Sequence, residues 1–151
     1  MNAFIVGTAL ETAMVLDMKR LNKQIIECKQ ILNAISGLSN AWRNHPAVIQ
    51  YRKHTDWLTA YMHCLIHYKK YIMHDTSEDH IGKARIWNLF ALNTTPDFHK
   101  ISYFDQMKRR LYTKDNNHYK QWSYLGESQE NWYWSDVENN FIKYINGKRI
   151  K

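Results

Sequence analysis

Asp17-Met18-Lys19-Arg20-Leu21-Asn22-Lys23-Gln24-Ile25-Ile26-Glu27-Cys28-Lys29-Gln30-Ile31-Leu32-Asn33-Ala34-Ile35-Ser36-Gly37 is the stretch that decides the fold. Leu21, Ile25, Cys28, Leu32 and Ile35 recur at spacings of four, three, four and three, which predicts an α-helix with these residues on its buried side. Gly37 ends it. Arg20, Lys23, Glu27 and Gln30 recur at three-four-three spacing on another face, with Gln24 beside them, so the same helix presents a polar stripe. Two readings of that stripe stand side by side. It is an ordinary solvated face in which Lys23 and Glu27 pair at i,i+4, or it is the wall of a site with one carboxylate among cations. Periodicity alone favours the first.

Upstream, Thr8 with Glu11 is a capping-box signal, so a helix begins there and either runs on or restarts at Asp17. Downstream comes Trp42-Arg43-Asn44-His45-Pro46. Proline is favoured at the first helical position, which predicts a second helix from Pro46 to about Met73, burying Trp57, Leu58, Tyr61, Leu65, Tyr68 and Ile72. His45 then lies at its N-terminal end, as a cap or packing residue on one reading and a phosphate-binding or catalytic group on the other. A polar stretch runs from His74 to Lys83, and the segment from Ala84 to Thr95 is left unassigned. Pro96-Asp97 marks the start of a third helix with Ile101, Phe104, Met107 and Leu111 on its apolar face. Lys100, Lys108, Arg109, Arg110 and Lys114 make this region basic. Tyr119, Trp122 and Tyr124 alternate with Lys120 and Gln121, a pattern that suits base stacking as well as core packing. Ser135 with Glu138 signals a final helix.

With 151 residues the chain forms one domain, and 44% hydrophobic residues give it a core. Five glycines and two prolines leave few breakpoints, which points to helices and short loops. The expected fold is all-α: a single compact domain of about three main helices plus a C-terminal helix. Residues 1–126 make its body, and residues 127–151 are a helical extension packed on it. Twenty-one Lys and Arg against 14 Asp and Glu give a net charge of +7, and such a field attracts polyanions, nucleic acid first. No apolar run approaches a membrane span, and Met1 to Val6 carries no basic region ahead of an apolar stretch, so an intracellular protein with no membrane partner is expected. Cys28 and Cys64 lack CxxC spacing and suit reduced, buried thiols. His63 and His67 have the spacing of a metal pair but lack the glutamate of hydrolytic zinc helices, and no glycine-rich phosphate loop or nucleophile elbow occurs.

Leu16-Asp17, Lys19-Arg20-Leu21, Lys23-Gln24, Glu27, Gln30-Ile31-Leu32, Trp42-Arg43-Asn44-His45-Pro46-Ala47-Val48, Lys114-Asp115 and His118-Tyr119 together resemble the pyrimidine-dimer DNA glycosylases of the small helical endonuclease V type. The resemblance runs in order from about Phe4 to Gly126, and its most specific part is Asn44-His45-Pro46. It implies an all-α enzyme that cleaves the N-glycosidic bond of a damaged base and then nicks the strand by β-elimination. The implied nucleophile is the protein's α-amino group, which forms a Schiff base at the deoxyribose C1′. It implies no metal or organic cofactor, a double-stranded DNA partner, a monomer, and no obligate protein partner.

Carried onto this chain, the amine belongs to Asn2 if Met1 is removed and to Met1 otherwise. The carboxylate falls on Glu27, since Lys23-Gln24 stands where the best-known members have an Arg-Glu pair. Arg20, Lys23, Gln24, Arg43, Asn44, His45, Tyr119, Lys120 and Trp122 are the expected DNA contacts. The alternatives are a non-catalytic DNA-binding protein that retains the fold, and a helical interaction factor whose charge serves solubility.

Overall fold

The computed structural model describes residues 1–73 and 78–150. Helix α1 (Ala9–Val15) opens with the complete capping box of Thr8 and Glu11 and stops at Leu16, whose extended backbone separates it from α2 (Met18–Ser36). The helix therefore restarts at Asp17. Gly37 closes α2 at φ 82°, a left-handed conformation that costs glycine nothing. The Pro46 helix is two helices, α3 (Pro46–Tyr51) and α4 (Thr55–Ile72), broken at Arg52 to His54. In α4, Trp57, Leu58, Tyr61 and Leu65 are buried, as their spacing predicts.

Residues 74–77 of the polar stretch lie outside the described residues. Asp79 caps the helix that follows, α5 (His80–Asn93), by accepting the Gly82 N–H at 2.9 Å. A Cβ at position 82 would come within 2.2 Å of that carboxylate, so the cap requires glycine there. The unassigned Ala84 to Thr95 segment belongs mostly to α5, whose apolar residues lie all around it and hide the helical period. Helix α6 (Ile101–Lys114) is the predicted third helix, although Ile101 is exposed, and a 3-10 helix follows at Lys120–Leu125.

The expectation of an all-α fold with a helical C-terminal extension is overturned. Residues 131–150 form a three-stranded antiparallel meander, β1 (Asn131–Ser135), β2 (Asn140–Ile145) and β3 (Lys148–Ile150), in the order β1-β2-β3. Asn146 and Gly147, both at positive φ, make the two-residue turn between β2 and β3, with Ile145 paired to Lys148. Ser135 does accept the Glu138 N–H at 3.2 Å, so the capping signal is genuine local geometry, but it closes a turn and no helix. Alternation then places Trp132 and Trp134 against Phe141 on one face, while Tyr133 is buried on the other.

The core centres on α4, which packs against α1, α2 and α5. Tyr51, Trp57 and Tyr61 stack successively with centroids 5.8 and 5.0 Å apart, each pair contributing about 0.5–1.5 kcal/mol beyond its buried area. His99 lies edge-on to Trp57 and its Nε2 is 3.1 Å from the Tyr51 hydroxyl. Both cysteines are free and buried, and burial pushes the Cys64 thiol up to about 12. No helix among the described residues is long and apolar enough to cross a membrane.

Burial, then the nearby His54, pushes His99 down to about 3. Its unfolded value lies near 6.5. Between these values the unfolded chain binds the extra proton, so His99 removes stability as pH falls from about 6.5 towards 3. Thermal melts across that range are expected to show a shallower pH slope for His99→Gln, which has an amide to bond Tyr51 and no titrating ring. An identical slope would mean that His99 does not titrate on unfolding.

Candidate active site

The first six residues are an apolar stretch without helical period, and they thread through the core: Asn2, Ala3, Phe4 and Ile5 are all buried. A buried segment outside any helix or sheet must find partners for its backbone. Helix α2 supplies them. Gln24 Nε2 donates to the Asn2 carbonyl at 2.7 Å, and Gln24 Oε1 accepts the Phe4 N–H at 3.0 Å and the Tyr61 hydroxyl at 3.2 Å. Glu27 Oε2 accepts the Asn2 N–H at 3.1 Å and Gln24 Nε2 at 3.3 Å. Tyr103 donates to the Ala3 carbonyl at 3.3 Å and Tyr133 to the Met1 carbonyl at 3.1 Å.

This explains the rotation of α2 relative to the sequence reading. Its buried side is Leu21, Gln24, Glu27, Cys28, Ile31 and Ala34, whereas Ile25, Leu32 and Ile35 are only partly buried. Of the polar residues, Gln24 and Glu27 turn inward because they serve the N-terminal segment, while Gln30 is exposed and Arg20 only partly buried. Lys23 remains mostly exposed, its ammonium 3.8 Å from Glu27 Oε1.

A cavity of about 340 Å³ opens beside this junction, within the usual range for ligand sites. Met1, Asn2, Lys23, Glu27 and His45 line it from the N-terminal half, and Arg110, Lys114, Asn131, Tyr133 and Tyr144 from the C-terminal half. Arg110 is fixed by bonds to Asn131 Oδ1 at 3.1 Å and the Ser128 carbonyl at 3.0 Å, and the same Asn131 oxygen accepts Asn2 Nδ2 at 3.2 Å. Lys114 lies over the Phe4 ring. Its pKa is lowered by burial and then by Arg110, Lys23 and Arg20, while Glu27 opposes the shift. One buried carboxylate thus faces a concentration of positive charge and the chain's N-terminus.

His45 is the N-cap of α3, its Nδ1 accepting the Ala47 N–H at 3.1 Å. A ring nitrogen that accepts is unprotonated, so the neutral ring carries its proton on Nε2. Burial lowers the His45 pKa, and the α-amine of Met1 lowers it further. Cap and active-site readings are therefore compatible: α3 fixes the tautomer, and a neutral N–H donor borders the cavity. His45→Asn keeps a good cap acceptor and removes that donor. Its melting temperature is expected to stay close to that of the parent while turnover falls about 10²-fold. Parallel loss of stability would reduce His45 to a cap.

The remaining sequence-predicted residues separate. Arg43 and Asn44 line a second polar cavity with Arg52, Asn40 and Ser39, beyond the His45 turn. Arg20 pairs with Asp17 at 3.3 Å. Burial alone would raise the Asp17 pKa, but hydrogen bonds from Tyr119 and Arg20 and the Arg20 charge bring it down. Gln24 has both amide atoms engaged beneath the cavity, so it meets the N-terminal segment where sequence reading expects a DNA contact. Tyr119 and Trp122 are buried, stacked on each other at 5.4 Å, with Tyr119 bonded to Asp17. Their alternation with cations reflects core packing, against the expectation of a base-stacking surface. Lys120 is exposed on the 3-10 helix. His63 stacks on Trp87, and His67 Nδ1 lies 3.3 Å from His80 Nδ1.

Sequence reading missed Arg110, Lys114, Asn131, Tyr133 and Tyr144. The first two were visible as a basic run whose i,i+4 spacing puts them on one helix face. The other three sit on the sheet, where the sequence reading expects a helical extension, and their own residue types do not mark them as site residues.

Residues 1–69 match the family model described as pyrimidine dimer DNA glycosylase. No curated protein and no solved structure matches the chain. The matched residues contain Asn2, Lys23, Glu27 and the His45 turn, and they leave the α6 and sheet side of the cavity outside. Over residues 1–69, somewhat under half of its length, the chain is similar to the pyrimidine dimer DNA glycosylase family, which supports the resemblance read from the sequence.

Proposed function

We propose that the chain excises a damaged pyrimidine from duplex DNA and then nicks the strand, using its α-amine as nucleophile and Glu27 as the carboxylate. The observation that carries this reading is the 3.1 Å contact between the Asn2 nitrogen and Glu27 Oε2. Removal of Met1 turns that peptide nitrogen into an amine already seated on the carboxylate. Retention of Met1 leaves the amine one residue away, in the same cavity and close enough to His45 to shift its titration.

These positions support the following electron flow. The neutral amine attacks C1′ as the N-glycosidic bond breaks, and the base leaves with the bonding pair and takes up a proton. Glu27 balances positive charge building at C1′. Loss of an amine proton and ring opening give the iminium. Glu27 then takes the C2′ proton, and the 3′-phosphate departs. Lys23, Arg110 and Lys114 provide the field that holds the strand, and His45 Nε2–H donates to a sugar or base oxygen. The base must leave the stack to reach the cavity.

The test is borohydride reduction during incubation with dimer-containing and with abasic duplex, followed by mass analysis of the N-terminal peptide. A covalent adduct on that peptide is the expected result, and no adduct on either substrate overturns the catalytic reading. A non-catalytic DNA-binding protein is the second reading, favoured by one observation: with Met1 in place the nitrogen on Glu27 is a peptide N–H. Salt-steep duplex binding without nicking selects it.

A further inference from the structure

Trp42 combines two features that core packing does not explain. Its φ is 64°, a left-handed conformation unfavourable for a bulky residue, and its side chain is 53% exposed. A single exposed tryptophan is unremarkable by itself, but strain retained at an exposed residue tends to mark function. The turn holding it is well braced. The Trp42 carbonyl accepts the His45 N–H at 2.9 Å, and Arg52 donates to the Arg43 carbonyl at 3.0 Å.

The indole also continues an aromatic row. Tyr144 and Tyr133 meet edge to face at 5.7 Å, Tyr133 and His45 at 5.8 Å, and His45 and Trp42 at 5.7 Å. The first three rings line the cavity, and Trp42 extends the row to the solvent-exposed surface. Beyond it lies the polar cavity bounded by Arg43, Asn44 and Arg52, with the cations and amides that phosphates need.

We propose that Trp42 is the stacking platform for a nucleobase next to the extruded nucleotide, occupying the gap left in the duplex while Arg43 and Arg52 hold the adjoining phosphate. This rests on the proposed function, since it needs a nucleotide drawn into the Glu27 cavity. Base-on-aromatic stacking tolerates any base, so the platform contributes recognition of a broken stack and no sequence preference. The left-handed turn holds the indole at the surface before DNA arrives, which spares the ordering of a flexible side chain on binding.

Trp42→Asn separates stacking from folding, because asparagine tolerates the left-handed conformation and has no ring. The probe is a duplex with a tetrahydrofuran abasic analogue flanked by 2-aminopurine, compared with the intact duplex. The variant should melt no lower than the parent, yet its preference for the abasic duplex should fall roughly ten- to a hundredfold. Quenching of 2-aminopurine should be lost, and Trp42→Phe should restore part of both signals. An unchanged preference overturns the proposal, as does equal loss on both duplexes or a lower melting temperature. The parent protein's borohydride adduct keeps the two ideas apart. If it forms and the Trp42→Asn preference is unchanged, only the stacking platform falls; if it does not form, the proposed chemistry fails as well.

Discussion

Glu27→Gln is expected to lower base release by about 10²- to 10⁴-fold while leaving duplex affinity and melting temperature close to those of the parent. The substitution is nearly isosteric at a buried position where space is fixed. A glutamine oxygen still accepts the Asn2 N–H and the Gln24 amide, so the N-terminal segment keeps its partners. The Lys23 contact is lost, but at 3.8 Å with a mostly exposed ammonium it contributes little to stability. What disappears is the negative charge facing Lys23 and Lys114 and the group able to take a proton. Single-turnover base release on dimer-containing duplex, with binding and thermal melts on the same samples, checks this. Equal loss of all three would make Glu27 a structural residue, and an unchanged rate would remove it from the chemistry.

The second large effect concerns the amine. Acetylation of the terminus is expected to abolish the borohydride adduct, because an amide nitrogen cannot form a Schiff base, and a Gly-Ser extension ahead of Met1 is expected to weaken it by moving the free amine away from Glu27. The informative competitor is Lys114. An ordinary lysine is almost wholly protonated near neutrality, but burial and then the charges of Arg110, Lys23 and Arg20 lower this one inside the same cavity. Peptide mapping therefore decides between two amines that face one cavity. The adduct is expected on the N-terminal peptide of the unblocked protein. An adduct on the Lys114 peptide, persisting after the block, would sink the α-amine assignment while leaving the cavity as the site.

The helical half of the molecule was legible because its signals are local. The Thr8–Glu11 capping box, Gly37 after α2 and Pro46 at the start of α3 each act within a turn or two and form as read. Glu27 was legible as a lone carboxylate among cations, but not as a buried one. Its burial depends on the N-terminal segment lying against α2, a contact 25 residues away in sequence. The same applies to Gln24, whose neutral amide satisfies a carbonyl and an N–H at once and thereby holds that segment in register. The C-terminal sheet was lost to a competing signal. Ser135 and Glu138 read as a helix start, and Asn146-Gly147, a strong hairpin signal, was passed over. Tyr133 and Tyr144 then had no face to be assigned to.

The cavity joins the two ends of the chain. Asn2 bonds Asn131 and Met1 bonds Tyr133 across 129 and 132 residues, whereas the most extensive helix packing, α4 on α5, joins neighbours in sequence. Loops of that length close late, after local helices have formed. The wall opposite the N-terminal segment, Glu27 and the His45 turn is carried by α6 and by a small meander with a three-residue final strand. Such a unit also opens more readily than the core it leans on. Hydrogen exchange should accordingly find β1 to β3 unprotected at a lower free energy than α4, and enclosure of the site would then be a separate equilibrium from folding.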